Sequence, residues 1–286
     1  MTDSARHFVL LFACEDRKGI VAAVANSLAA QDCNIVKSAQ FGDDSTGRFF
    51  MRTEFAAPPS FDRARFEHVF APVATAWRLD WSLHDLATPL RAMIMVSKGG
   101  HCLNDLLYRT ATAKLAMTIT SVVSNHTTWQ RRVAHEGIAF HHLPVTPETK
   151  ETQEAELLRL IEAEGVDLVI LARYMQVLSD AVCRRLDGRV INIHHSFLPG
   201  FKGANPYHRA HARGVKMVGA TAHYVTADLD EGPIIAQDVS VVDHADTVDD
   251  LISQGQDTES RVLARAVKAH LEHRVLLNGM RTVVFR

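Results

Sequence analysis

The sequence predicts an α/β protein in two unlike parts: an N-terminal ferredoxin-like βαββαβ domain over residues 6–85, then a doubly wound, mostly parallel sheet domain over residues 90–286. Three observations carry that reading. Residues 7–84 run strand, helix, strand, strand, helix, strand. Beyond residue 90, continuous apolar strands alternate with helical stretches, the pattern of a sheet covered by helices on both faces. Between the two parts, L-A-T-P-L (86–90) carries a proline break where the periodicity changes.

The opening apolar run, 7–14, is strand-long, is closed by Glu15, Asp16 and Arg17, and has no small-residue cleavage site after it, so it reads as a strand and not a signal peptide. Gly19 marks the start of a helix at 20–31, in which Val21, Val24 and Leu28 recur at helical spacing. Strands at 33–41 and 48–56 are joined by the turn-rich G-D-D-S-T-G. A helix at 61–76 and a strand at 78–84 complete a sheet with both helices on one face. The second part offers strands at 91–97, 117–123, 138–142, 167–172 and 190–194, with helices near 102–113 and 150–164. Extended runs at 219–225 and 234–242 have no helix between them and are expected to pair antiparallel at one side. A long helix over 247–271 follows, and L-N-G-M-R-T-V-V-F closes as a small hairpin about its N-G turn.

With 286 residues, 47% apolar and 22% charged, the chain is too hydrophobic for disorder and long enough for one large or two ordinary domains. Its 31 Lys and Arg against 33 Asp and Glu leave a net charge of −2, which gives no electrostatic drive toward nucleic acid or an anionic membrane. No run reaches the roughly 18 apolar residues of a membrane span; even D-L-V-I-L-A-R-Y-M-Q-V-L is broken by Arg173. Cys14, Cys33, Cys102 and Cys183 stand apart, so neither a zinc cluster nor a disulfide framework is expected. A soluble protein of the reducing cytoplasm is the expectation.

In open parallel sheets ligands bind beyond the carboxyl ends of the strands, and three such places carry chemistry. S-K-G-G-H-C-L-N-D (97–105) ends a strand in a glycine pair and begins a helix; it is either a tight turn or a cradle of free N–H groups for an anion. Cys102 there reads as a buried apolar residue. In V-I-N-I-H-H-S (190–196), Asn192 and His194 alternate onto one side of a strand, and both can donate to a carbonyl oxygen that becomes an oxyanion. No metal is expected, because the adjacent His194 and His195 should face opposite sides of the strand and no carboxylate sits at a metal-ligand spacing. Asn205 and Pro206 read as a helix N-cap and first helical residue. The third place, D-L-D-E-G-P (228–233), is either a solvated acidic loop or the source of a carboxylate that handles protons beside the Asn and His.

The runs N-I-H-H-S, F-K-G-A and G-A-T-A-H-Y-V-T-A-D-L-D-E-G-P-I-I-A-Q resemble the formyltransferase catalytic domain that uses 10-formyltetrahydrofolate. Within that group the chain is most similar to the formyltetrahydrofolate deformylases, which share H-C-L-N-D-L-L-Y-R, F-H-H-L-P-V-T, L-A-R-Y-M-Q and a leading amino-acid-binding ACT domain, matched here by D-R-K-G-I-V-A-A-V. The resemblance spans essentially the whole chain. It implies hydrolysis of 10-formyltetrahydrofolate to formate and tetrahydrofolate, a supply of formate for purine synthesis, and no cofactor beyond the folate substrate. The family's catalytic Asn, His and Asp fall on Asn192, His194 and Asp230.

By the same resemblance the pterin is gripped by Met175, Gln176, Val177 and Leu178 and by Ala227 and Asp228, with Ser196, Thr221 and His223 supporting the site. For Thr221 and His223 ordinary strand packing is the alternative. The ACT resemblance implies a small amino acid, glycine or methionine, near Asp16, Lys18, Gly19 and Ile20, bound where two such domains meet, and hence a dimer or tetramer. Two competing functions remain. One is formyl transfer to an amine such as glycinamide ribonucleotide, against which the ACT domain argues; the other is a non-catalytic folate or amino-acid sensor, against which the intact trio argues.

Overall fold

The computed structural model describes residues 6–198 and 206–286, so Asn205 and the F-K-G-A run at 201–204 lie outside the described residues. Two compact units are present, divided between Thr88 and Pro89. The first contains β1 (Arg6–Glu15), α1 (Ile20–Ala29), β2 (Asn34–Asp43), β3 (Arg48–Ala57), α2 (Arg63–Trp77) and β4 (Asp80–Asp85). Its sheet has the order β2-β3-β1-β4, antiparallel throughout, which is the expected ferredoxin-like arrangement. Gly19 starts α1 at φ 100°, a left-handed conformation that glycine adopts at no steric cost. The Asp62 side chain accepts a hydrogen bond from the Arg65 N–H at 2.6 Å and caps α2. Phe8, Leu10 and Phe12 point from β1 into a core shared with Ile20, Val24, Leu28, Phe66 and Phe70 of the two helices.

The second unit follows the alternating pattern: β5 (Leu90–Val96), α3 (His101–Ala111), β6 (Met117–Ser124), α4 (Gln130–His135), β7 (Ala139–His142), α5 (Lys150–Ala163), β8 (Leu168–Leu171), α6 (Asp180–Arg185), β9 (Val190–His194), α7 (Pro206–Ala212), β10 (Met217–Tyr224), β11 (Ile234–Val241) and α8 (Val248–Leu271). The sheet order is β11-β10-β9-β8-β5-β6-β7. Strands β9 to β7 in that order are parallel, and β10 and β11 run antiparallel at one side, as their helix-free connection predicts. All four residues of β8 are buried, the signature of a strand covered on both faces. The chain steps outward from β5 to β7 and returns to β8 on the other side of β5, so the carboxyl ends of β5 and β8 open at a topological switch point. Among the described residues no helix is long and apolar enough to cross a membrane.

The tail departs from the expected division. β12 (Val275–Asn278) and β13 (Arg281–Val284) form the anticipated hairpin, but Glu272–Asn278 and Val283–Arg286 belong to the first unit, and only Gly279–Thr282 groups with the second. Polar and apolar contacts both explain this. Arg52 donates to the carbonyls of Glu272 and His273, each at 3.1 Å, and Asn278 donates to Asp43 Oδ2 at 2.6 Å. Phe285 packs with Ala13 and Phe50 on the face of the first sheet that its own helices leave bare.

Candidate active site

Asn192 and His194 leave β9 on one side, as their spacing predicts, and the antiparallel β10 sets His223 opposite Asn192 and Thr221 opposite His194. The β10–β11 loop brings Asp230 to the same place. Its Oδ2 lies 3.2 Å from His194 Nδ1, and its Oδ1 lies 3.7 Å from His223 Nε2. Asp230 reaches them from a left-handed backbone conformation, φ 56°, which aspartate tolerates better than most residues. Gly232 lets that loop close: a Cβ there would fall 1.7 Å from the Tyr224 carbonyl oxygen. Burial raises the Asp230 carboxyl, yet the hydrogen bonds and charges of His194 and His223 outweigh it and hold the group well below the usual carboxylate range.

Proton positions follow from the partners. His223 Nδ1 lies 2.8 Å from the Tyr224 carbonyl, an acceptor only, so Nδ1 carries the proton. His223 Nε2 lies 3.3 Å from the Asn192 amide nitrogen and also faces Asp230, so it ties the two side chains together. His194 is buried, and its Nε2 has no hydrogen-bond partner among the described residues, so a donor or acceptor in the wall of the site is unspent. Thr221, fully buried, works one step back. Its hydroxyl donates to the Ser196 carbonyl at 2.9 Å and accepts from the Leu198 N–H at 3.0 Å and from Gln237 at 2.9 Å. Ser196 and Thr221 therefore brace the turn after β9, and neither lines the cleft.

Asn192, His194, His223 and Asp230 line a cleft of about 380 Å³ together with residues 173–178, His195 and 225–229. All four residues expected from the segment after β8, Met175, Gln176, Val177 and Leu178, line it, as do Ala227 and Asp228. Met175, Val177 and Leu229 are more than half exposed, an apolar rim that suits a flat ring system. The segment is pinned at several points: the Ser97 N–H donates to the Arg173 carbonyl, the Met175 N–H to Ser97 Oγ, and the Ser179 N–H to Glu154 Oε1.

Elsewhere the expectations divide. A Cβ on Gly100 would lie 2.0 Å from the Trp129 ring, so that glycine answers to the packing of Trp129, whose indole donates to the Lys98 carbonyl; Gly99 has ordinary space around it. Cys102 is buried as expected, and burial pushes its thiol far up, out of nucleophilic range. His194 and His195 do not face opposite sides: β9 ends at His194, and the two rings stack with centroids 4.8 Å apart. His101, Cys102 and Glu259 hold donor atoms within 4.8 Å of one another, but both Glu259 oxygens are taken and Arg173 stands 3.3 Å away, which disfavours a metal ion. In the first unit, Asp16, Lys18 and Gly19 are exposed in the loop before α1, whereas Ile20 is a core residue.

Arg173, Glu259 and His195 escaped the sequence reading. Two signals existed: an arginine closing a fully buried strand, and a glutamate at a buried position of α8 among Leu251, Gly255, Val262 and Leu263.

The chain matches the family model described as formyl transferase over residues 90–267. It is 49% identical over 289 residues to the formyltetrahydrofolate deformylase of Corynebacterium sp. (strain P-1), covering 100% of both chains. The crystal structure of the formyltetrahydrofolate deformylase from Burkholderia mallei superposes with a TM-score of 0.95 at 50% identity, covering 98% of this chain and 100% of that one. A glycinamide ribonucleotide transformylase from Symbiobacterium toebii is also similar, with a TM-score of 0.65 at 30% identity, but it covers 69% of this chain and 95% of its own.

Proposed function

The chain belongs to the formyltetrahydrofolate deformylases of the formyl transferase family, and from that premise we propose how its own residues hydrolyse 10-formyltetrahydrofolate to formate and tetrahydrofolate. The observation that carries the reading is the convergence of Asn192, His194 and Asp230 in the wall of a cleft whose apolar rim accepts a flat ring. The pterin lies against residues 175–178 and 227–228, which puts the formyl group beside the trio. Asn192, its amide beside His223, and His194, through Nε2, hold the formyl oxygen as it gains negative charge. Asp230 is ionised and a poor proton acceptor for a carboxylate, so it orients the attacking water and steadies His194 more than it abstracts a proton. Water adds to the formyl carbon, the C–N bond breaks as one of the water's protons passes to the folate nitrogen, and formate leaves with the second proton released to solvent.

The first unit supplies regulation in this reading. A small amino acid, glycine or methionine, sits by the exposed Asp16–Gly19 loop between two copies of the domain, and the enzyme is a dimer or tetramer. Its formate feeds purine synthesis, and its four buried, unpaired cysteines suit the reducing cytoplasm. The test is formate release from 10-formyltetrahydrofolate by wild type and Asp230→Asn, with and without glycine, methionine or glycinamide ribonucleotide. Wild-type release that Asp230→Asn loses supports the reading. Release that needs the amine acceptor would make the protein a transferase, and release that ignores both amino acids would remove the regulatory part.

A further inference from the structure

Arg173 and Glu259 have no place in the scheme above, yet the fold invests heavily in both. Glu259 projects from α8 with its side chain 1% exposed. Its Oε2 meets His101 Nε2 at 2.8 Å and Arg173 Nε at 3.3 Å, and its Oε1 accepts from the Tyr207 hydroxyl at 2.7 Å. Gly255, one turn earlier, leaves room for that hydroxyl, which a Cβ would approach to 2.1 Å. A buried carboxylate is destabilising unless its oxygens are filled, and these are, with Arg173 balancing the charge. Burial opposes ionisation of Glu259, but His101 and Arg173 prevail and hold its carboxyl below the ordinary range.

Arg173 stands just past β8 in a left-handed conformation, φ 65°. Its Nε faces Glu259, and its Nη1 lies 2.7 Å from His195 Nδ1. A guanidinium only donates, so His195 Nδ1 accepts, and the proton of the neutral ring is on Nε2. The His195 ring in turn stacks on His194, 4.8 Å between centroids and 21° between planes.

We propose that Glu259 and Arg173 are positioning residues that hold His195 as a neutral Nε2–H tautomer stacked on His194, so that of the two adjacent imidazoles only His194 carries charge during the reaction. The proposal rests on the reading of His194 as the group that holds the formyl oxygen. The charged and titratable groups facing His195 among the described residues are Arg173 after β8, His194 on β9, Tyr207 on α7, Glu259 on α8 and Asp230 in the β10–β11 loop. Burial, Arg173 and His194 push the His195 ring down to about 4 against the smaller opposing pull of Glu259 and Asp230. Two stacked imidazolium rings would repel. Arg173 settles which one stays neutral, and Asp230 supplies the counter-ion to the other.

The experiment reads the histidine ring nitrogens by long-range 1H–15N correlation in full-length, 15N-labelled protein across pH 4.5 to 8.5, beside pH profiles of kcat. Wild-type His195 should stay the Nε2–H tautomer down to about pH 5. In Arg173→Met its titration should move up toward the ordinary histidine value of about 6.5. Both Glu259→Gln and Arg173→Met should lose kcat on the order of 10²-fold, with KM for 10-formyltetrahydrofolate changing less in Glu259→Gln. The alkaline limb of kcat should move to lower pH in Glu259→Gln, which leaves Arg173 uncompensated, and to higher pH in Arg173→Met, which leaves Glu259 uncompensated. A wild-type His195 protonated on Nδ1, or titrating as an ordinary histidine, overturns the proposal; so do unmoved limbs in the folded variants. The wild-type spectrum decides even where a variant fails to fold. It needs no turnover, so a neutral His195 in a protein that releases no formate would count against the deformylase chemistry alone.

Discussion

Asp230 reaches His194 and His223 from a left-handed backbone conformation that asparagine also tolerates, so Asp230→Asn should fold and still lose 10²- to 10⁴-fold in kcat/KM. Circular dichroism and formate release on the same preparation check this. Two titrations weaken the fold as pH falls, each in its own window. Asp230 is held below its unfolded value, so its contribution is complete above the ordinary carboxylate range near pH 4 and fades as pH falls beneath it. His195 is held at about 4 against roughly 6.5 unfolded, so the unfolded chain binds the extra proton between those values and stability falls as pH drops from about 6.5 toward 4. Urea midpoints at pH 7 and pH 5 should differ less in His195→Gln than in wild type. Asn192 and His194 were legible because a strand's two-residue period fixes their side, whereas the acidic Gly-Pro loop offered only an unassigned carboxylate, and the resemblance to the formyltransferases singled out Asp230. Arg173 and Glu259 were not, because their pairing joins residues 86 positions apart through the tertiary fold.

Glycines decide two of the elements around the site. Gly232→Ala would drive a Cβ into the Tyr224 carbonyl and push the Asp230 loop off the sheet, so activity should fall in parallel with Asp230→Asn while most of the fold survives. At the β5–α3 turn, Gly100→Ala must displace Trp129 and should destabilise by about 1–3 kcal/mol, whereas Gly99→Ala should stay within about 0.5 kcal/mol of wild type in chemical denaturation. The long elements lie near their expected bounds: α8 spans Val248–Leu271 against a reading of 247–271, and β9 coincides with 190–194. The six-residue α4 and α6 went unread because fewer than two turns give no periodic signal.

At the scale of the whole molecule, the chain's last residues return to the first unit. Phe285 is buried beside Phe50 and Ala13, and Phe285→Ala should cost about 3 kcal/mol in a denaturation curve, with formate release little changed at temperatures where the protein remains folded. Sequence order hid this, since a hairpin that follows α8 gives no sign of which sheet it covers; the ferredoxin-like order of the first unit and the switch point of the second were open to pattern reading alone. What the two units do together is tested most directly by turnover of 10-formyltetrahydrofolate in 18O-water. One formate per tetrahydrofolate, carrying one solvent oxygen, is the predicted result, and its loss in Asp230→Asn ties it to the site. Formate without solvent oxygen, or a formyl group that leaves the folate only when an amine is present, would contradict hydrolysis at this trio.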